Sequence, residues 1–266
     1  MSSPVEPPST ATVPLLPHVP TGRVRWWTAG VTFAVAGVLC VGAYVGTGLL
    51  VPAGVLAAAV LAWGWPSLLA LPSPRGTTAV VAAGGAAAVL AVGLARDEPL
   101  LQWLSLALAA AVVAEFVHQL GRRDGRPRVV ESSTGVLVGV ALAASMSTVL
   151  ALPLTPNGAA GVVVAVVPVA LGLALQLLPF PARISAGIGV VAAFLLGALL
   201  GGLLDGPTTI AGGVAGGLVS AVALMMHRML SVLPAAGWAP GWLALAVAPL
   251  ASSGVVAYVV LRLLAG

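Results

Sequence analysis

Apolar stretches long enough to cross the ~30 Å hydrocarbon core of a bilayer recur along this chain from residue 28 onward, interrupted by Gly, Pro and Arg. Nine stretches are read, at 28–48, 51–71, 77–95, 99–120, 132–152, 159–178, 184–204, 207–227 and 241–264. Lipid offers the backbone no hydrogen-bond partners, so such runs must satisfy their own amides and carbonyls as helices. The predicted fold is all-α, a polytopic transmembrane helix bundle of about nine spans. The narrowest break is Gly46-Thr47-Gly48, and joining spans across it, or losing the last span, gives eight.

Residues 1–22 are rich in Pro, Ser and Thr, which oppose helix and sheet hydrogen bonding, so a disordered cytoplasmic tail is expected. The tail has no basic start followed by a short apolar region and a cleavage site, so it does not read as a signal peptide. Arginine placement orients the spans. With the amino terminus inside, Arg23, Arg25, Arg75, Arg122, Arg123, Arg126, Arg128, Arg183 and Arg228 are cytoplasmic, and only Arg96 and Arg262 lie outside. Translocating short arginine-rich loops is disfavoured, so this orientation is preferred and the carboxyl terminus is expected outside.

The spans also carry signs of a duplication. Leu71-Pro72-Ser73-Pro74 returns as Leu178-Pro179-Phe180-Pro181 at an offset of 107, each followed closely by arginine. Gly93, Asp97 and Pro99 return as Gly201, Asp205 and Pro207 at 108, Ala53-Gly54-Val55 as Ala160-Gly161-Val162 at 107, and Gly30-Val31 as Gly135-Val136 at 105. These offsets pair spans one to four (23–127) with spans five to eight (128–233) and leave 234–266 as an appended carboxyl-terminal helix. Four spans is an even number, so both copies enter from the same side, which makes a parallel repeat about an axis along the membrane normal. Coincidence among Ala, Gly and Val runs is the competing explanation.

Composition narrows the class. Of 266 residues, 60% are hydrophobic and 7% charged, which is too little charge for a water-facing surface. All 11 basic residues are arginine, and Ala, Gly, Val and Pro abound, which reads as GC-rich coding and a bacterial plasma membrane. Scattered over short loops, these arginines offer no continuous phosphate-tracking surface, so nucleic acid is not an expected partner; membrane lipids are. Cys40 is the only cysteine, which leaves no intrachain disulfide and no cysteine-based metal site, and no cofactor is expected.

Several spans carry marks of close packing or bending. Gly197-x-x-x-Gly201, Gly212-x-x-x-Gly216 and Gly213-x-x-x-Gly217 clear helix faces for close approach. Pro66, Pro168 and Pro249 fall inside spans, where they bend a helix and free carbonyls that could line a cavity. Trp63 and Trp65, with Trp26, Trp27, Trp103, Trp238 and Trp242 near span ends, read mostly as interface anchors.

Two groups of residues are candidate chemistry. The loop Gly121-Arg122-Arg123-Asp124-Gly125-Arg126-Pro127-Arg128 places Arg122, Arg123, Arg126 and Arg128 where they could grip lipid phosphate or a phosphorylated substrate, although positive-inside anchoring explains the same residues. Glu115 lies about 9 Å inside its span, and spacings of three and four put Glu115, His118 and Gln119 on one helical face. A buried carboxylate at that depth needs a partner, which fits either a specialised proton site or a self-satisfying structural pair. The duplicate positions are Ala223 and Met226, so the set belongs to one half only. Glu-x-x-His also occurs in carboxylate-bridged metal sites, but the second copy and further carboxylates those need are missing, so no metal is expected.

The run Asp97-Glu98-Pro99-Leu100-Leu101-Gln102-Trp103, continued by Glu115-Phe116-Val117-His118-Gln119-Leu120 and Arg122-Arg123-Asp124-Gly125-Arg126-Pro127-Arg128, resembles a family of bacterial multi-span membrane proteins with no assigned activity. The resemblance covers the middle third and implies a class, not a reaction. Motifs of membrane proteases are missing, and Asp124-Gly125 lacks the partners a CDP-alcohol phosphotransferase site requires. Three functions stay open: a transporter or permease of a small solute or lipid, a structural or assembly protein, and an enzyme acting on lipid phosphate at the cytoplasmic face.

Overall fold

The computed structural model describes residues 21–264, and the predicted tail lies almost wholly outside them. Ten α-helices follow one another: α1 (Thr21–Val45), α2 (Thr47–Leu68), α3 (Pro74–Gly93), α4 (Leu104–Gly121), α5 (Val129–Ser147), α6 (Gly158–Ala174), α7 (Ala182–Leu203), α8 (Thr209–Ser231), α9 (Gly241–Ser252) and α10 (Gly254–Leu264). Together they form a polytopic helical bundle in which, among the described residues, nine spans are long and apolar enough to cross a membrane. The narrow break is real: one residue, Gly46, at φ 115, separates α1 from α2. That left-handed backbone suits glycine and turns the chain without a loop.

Three spans differ from expectation. The fifth runs as α5 and then tightens into a 3₁₀ segment, Thr148–Leu154, before the chain turns. The ninth, expected as one helix, is α9 and α10 joined at Ser253, four residues after Pro249. Proline lacks the amide that would continue the ladder, and its ring crowds the carbonyl one turn back. The fourth span also starts later than expected, at Leu104, because 94–103 forms turns instead of helix.

Contacts between loops sort the spans by direction. At one end, Arg128 Nη1 donates to the Ala70 carbonyl at 3.0 Å, and a Cβ on Gly64 would meet the Pro240 carbonyl at 2.7 Å. At the other end, Arg262 pairs with Glu98 at 2.7 Å, and Asn157 Nδ2 donates to the Leu261 carbonyl at 3.1 Å. Loops 69–73, 122–128 and 232–240 thus share one end, while 94–103, 155–157 and 204–208 share the other. Helix alternation from these anchors puts Arg96 and Arg262 at the second end and every other arginine position at the first. The two ends are therefore chemically unlike, as the arginine pattern predicted.

Each recurring sequence motif falls in the element of matching rank. Leu71–Pro74 and Leu178–Pro181 follow α2 and α6 and lead into α3 and α7, and Asp97 and Asp205 occupy the α3–α4 and α7–α8 loops. Packing along the chain is similar only in part. Helix α2 packs on α1 and α3, whereas α6 packs on α7 and α8 and meets the 3₁₀ end of the fifth span in place of α5 itself.

The most extensively packed helix pair is α7 with α8, built on the glycines singled out above. A Cβ on Gly212 would lie 2.3 Å from the Gly197 carbonyl oxygen, and one on Gly216 would lie 2.5 Å from that of Ala193. Helices in lipid gain little from burying apolar surface against each other, so such backbone approach is what holds them. Replacing Gly212 with Ala is therefore expected to lower stability by about 1–3 kcal/mol through forced separation of the pair. Gly30→Ala is the control, since nothing lies within 4 Å of its added Cβ. Melting temperatures in detergent should fall for the first variant and hold or rise for the second; equal shifts would refute the packing argument.

Candidate functional site

Helix α4 presents its polar residues to α3 and α5. Leucine, valine and phenylalanine on its opposite side stay exposed, while Glu115 and Gln119 are only 2% and 7% exposed. Register against α3 is set by glycine: a Cβ on Gly76 would sit 1.8 Å from the His118 ring, and one on Gly84 would sit 2.9 Å from Ala111. Against α5, the anchor is Ser132, whose hydroxyl accepts from Gln119 Nε2 at 3.1 Å.

The structure joins Glu115 to Gln119 but sends His118 elsewhere. Gln119 Nε2 donates to Glu115 Oε1 at 2.5 Å, and the amide oxygen of Gln119 accepts from Arg122 Nη1 at 2.9 Å. His118 Nε2 instead lies 3.3 Å from the Ser73 hydroxyl, over Gly76. Glu115 Oε2 is buried without a hydrogen-bond partner, as is Thr77 Oγ1 on the facing turn of α3.

The arginines of the 122–128 loop divide into two kinds. Arg122 is buried, with Nε and Nη2 both on the Asp124 carboxylate at 3.1 and 2.8 Å and a longer contact from Nη2 to the Pro127 carbonyl. All its donor nitrogens are thus engaged inside the chain, which removes it from the surface where a phosphate would bind. Arg123, Arg126 and Arg128 are exposed, although Arg126 donates to the Leu120 carbonyl at 2.9 Å and Arg128 pairs with Glu131. The hydrogen bond from Arg122 holds the Asp124 carboxyl below the usual carboxylate range, helped by the amide of Arg126.

A second polar cluster, missed by sequence reasoning, lies where the broken fifth and ninth spans cross. Ser145 Oγ accepts from the Val255 amide at 3.1 Å and lies 3.4 Å from the Ser252 carbonyl. Around it the hydroxyls of Ser147, Thr148, Ser252 and Ser253 each donate to a carbonyl three residues back, at 2.7–2.8 Å. Contact is so close that a Cβ on Gly254 would be 2.0 Å from the Ser145 carbonyl oxygen. The available signal was Ser252-Ser253-Gly254 placed just after Pro249, a polar, flexible triplet inside an apolar run. Nearby, Thr32 on α1 donates to the Ala246 carbonyl at 2.8 Å, one turn before Pro249.

Trp65 corrects the interface-anchor reading. It is 2% exposed, and its indole nitrogen donates to the Gly135 carbonyl at 2.7 Å. Its ring fits over Gly139, where a Cβ would be 2.7 Å away. Trp26, Trp27, Trp63, Trp103 and Trp238 are exposed, as anchors require. Among the described residues, no group of three or more His, Cys, Asp or Glu side chains comes together. Comparison with family models, curated proteins and solved structures finds no match to this chain, so its site must be read from geometry alone.

Two outcomes are expected here. Glu115→Leu should lower membrane yield and melting temperature, because it strands Gln119 beside an apolar side chain, whereas Glu115→Gln keeps an acceptor and should stay near wild type. Equal losses in both variants would contradict this. Arg122 holds the Asp124 carboxyl below its ordinary value, so its contribution to loop order is full at neutral pH and is lost only as pH falls below the ordinary carboxylate range. Limited proteolysis of the 122–128 loop should accelerate only there in wild type, and at neutral pH in Asp124→Asn.

Proposed function

We propose that this chain is a bacterial plasma-membrane permease for a small solute or lipid, with its path passing the crossing of the fifth and ninth spans. The observation that carries this reading is that both spans lose α-helical hydrogen bonding at the same place, where the Ser145 hydroxyl of the fifth span accepts from the Val255 amide of the ninth. Non-helical backbone at membrane depth is tolerated where protein buries it or where it lines a cavity, and transporters build substrate sites from such broken helices. Pro168 in α6 and Pro66 in α2 add bends to neighbouring spans. The duplicated motifs support the same reading, since transporters are often built from repeats.

An enzyme acting on lipid phosphate is less well supported. Its polar groups would have to converge, whereas Glu131 is exposed and paired with Arg128, His118 faces Ser73, and Glu115 faces Gln119. Arg123, Arg126 and Arg128 suit anionic head groups at the cytoplasmic face, which is the role we assign them. That face is taken as the arginine-rich end because short arginine-rich loops resist translocation.

Cys40 is the single cysteine, so Cys40→Ala gives a background for introduced thiols. In that background Ser253→Cys and Ser145→Cys should react with a small membrane-impermeant thiol reagent in sealed vesicles, while Ala143→Cys, fully buried beside Gly85, should not. Inertness of both serine positions from both sides of the membrane would reject a path at the crossing. Reporter fusions at Gly125 and Gly266 should report opposite compartments, with Gly125 cytoplasmic; both on one side would refute the orientation.

A further inference from the structure

We infer that Glu115 is a proton-binding site, with the exchangeable proton carried on Oε2 and sensed at the arginine-rich loop through Gln119 and Arg122. This goes beyond the permease reading and does not depend on it, because a proton can be bound and released whether or not a solute moves.

The hydrogen-bond geometry assigns the proton. Arginine has donors and no acceptor, so the Gln119 atom that meets Arg122 Nη1 must be its amide oxygen. The two amide hydrogens of Gln119 are then directed at Glu115 Oε1 and Ser132 Oγ. Glu115 Oε1 is therefore an acceptor in either protonation state. The position we assign to the proton is therefore Oε2, the buried oxygen left without a partner.

Charge balance supplies the second argument. Glu115 is 2% exposed, and a carboxylate so placed needs a compensating cation. Among groups on the elements packed against it, α3 offers only Arg75, which is exposed at its first turn, and α5 offers only Glu131, which is exposed and tied to Arg128. On α4 itself, His118 turns to Ser73. Arg122 reaches Glu115 only through Gln119, and its charge is already met by the bidentate contact with Asp124. With Arg122 and Asp124 neutralising each other, no neighbouring cation is left to compensate a charge on Glu115. Ionisation of Glu115 would draw on Arg122 through Gln119 and loosen its hold on Asp124, which connects the buried site to the loop.

The test uses the full chain in detergent and N,N′-dicyclohexylcarbodiimide, an apolar reagent that takes up protonated carboxyl groups inside membranes. The acid O–H adds across a carbodiimide C=N bond to give an O-acylisourea, which rearranges to a stable N-acylurea readable by peptide mass. Wild type should carry this adduct on Glu115, with yield falling several-fold from mildly acidic to alkaline pH. Glu115→Gln, monodisperse on gel filtration, should lose it. Asp124→Asn frees the Arg122 charge to favour the carboxylate, so its adduct yield at neutral pH should fall below that of wild type. No adduct on Glu115 in folded wild type, or a yield independent of pH, would overturn the proposal. So would suppression of labelling by sodium at fixed pH, which would make the pocket a metal-cation site instead.

Discussion

Every feature of this molecule answers to one constraint: a backbone amide or carbonyl inside lipid must find its partner within the protein. Helices meet it by themselves, which is why, among the described residues, nine apolar spans long enough to cross a membrane are helical. Where a span breaks, the partners must come from side chains, and at the crossing of the fifth and ninth spans they are small hydroxyls. Ser145 serves the Val255 amide, and Ser252 and Ser253 fold back on the carbonyls before the break. The breaks are thus held by a few specific hydroxyls, and a span that lacked them would have to remain a regular helix or leave polar groups exposed to lipid.

Glycine determines how near these elements come. It brings α7 and α8 into backbone contact, but it also makes room for large side chains at the polar clusters. Gly76 seats the His118 ring, Gly139 seats Trp65, and Gly254 lets the ninth span approach Ser145. In each case a side chain in place of hydrogen would displace a polar group from its partner. The Ala- and Gly-rich composition therefore has a structural consequence beyond codon usage: it permits closeness where dispersion and hydrogen bonding, not water, hold the bundle.

The span count and the partition of arginines between the two ends were legible in the sequence because they depend on averages over many residues, which single side chains barely perturb. Placing Glu115 and Gln119 on one face was legible because helical spacing is local. The broken spans were not. The bond from Ser145 to Val255 joins residues 110 positions apart, and a hydropathy window counts a serine as a small loss whether or not it serves a carbonyl. Trp65 was misread for the same reason: a tryptophan near a span end can turn toward lipid or inward, and what decided it was Gly135 and Gly139 on another helix. Arg122 looked like its neighbours in the loop, but its burial follows from Gln119 one turn behind it and Asp124 two residues ahead.

The two polar clusters stand apart, yet one helix touches both. Ser132, on the first turn of α5, accepts from Gln119, and Ser145, near the last turn of the same helix, serves the broken ninth span. The intervening helix spans about 20 Å at 1.5 Å per residue, and its contacts with α2 and α3 are made through residues such as Gly135, Gly139 and Val140, which are too closely packed to yield locally. A helix confined in this way moves as a rod. Any change that draws Gln119 away from Ser132 must either break that hydrogen bond or shift α5, and a shift of α5 carries Ser145 against the ninth span. The crossing has backbone groups held by side chains instead of by a continuous helix, so a displacement of α5 acts there on the hydrogen bond between Ser145 and the Val255 amide.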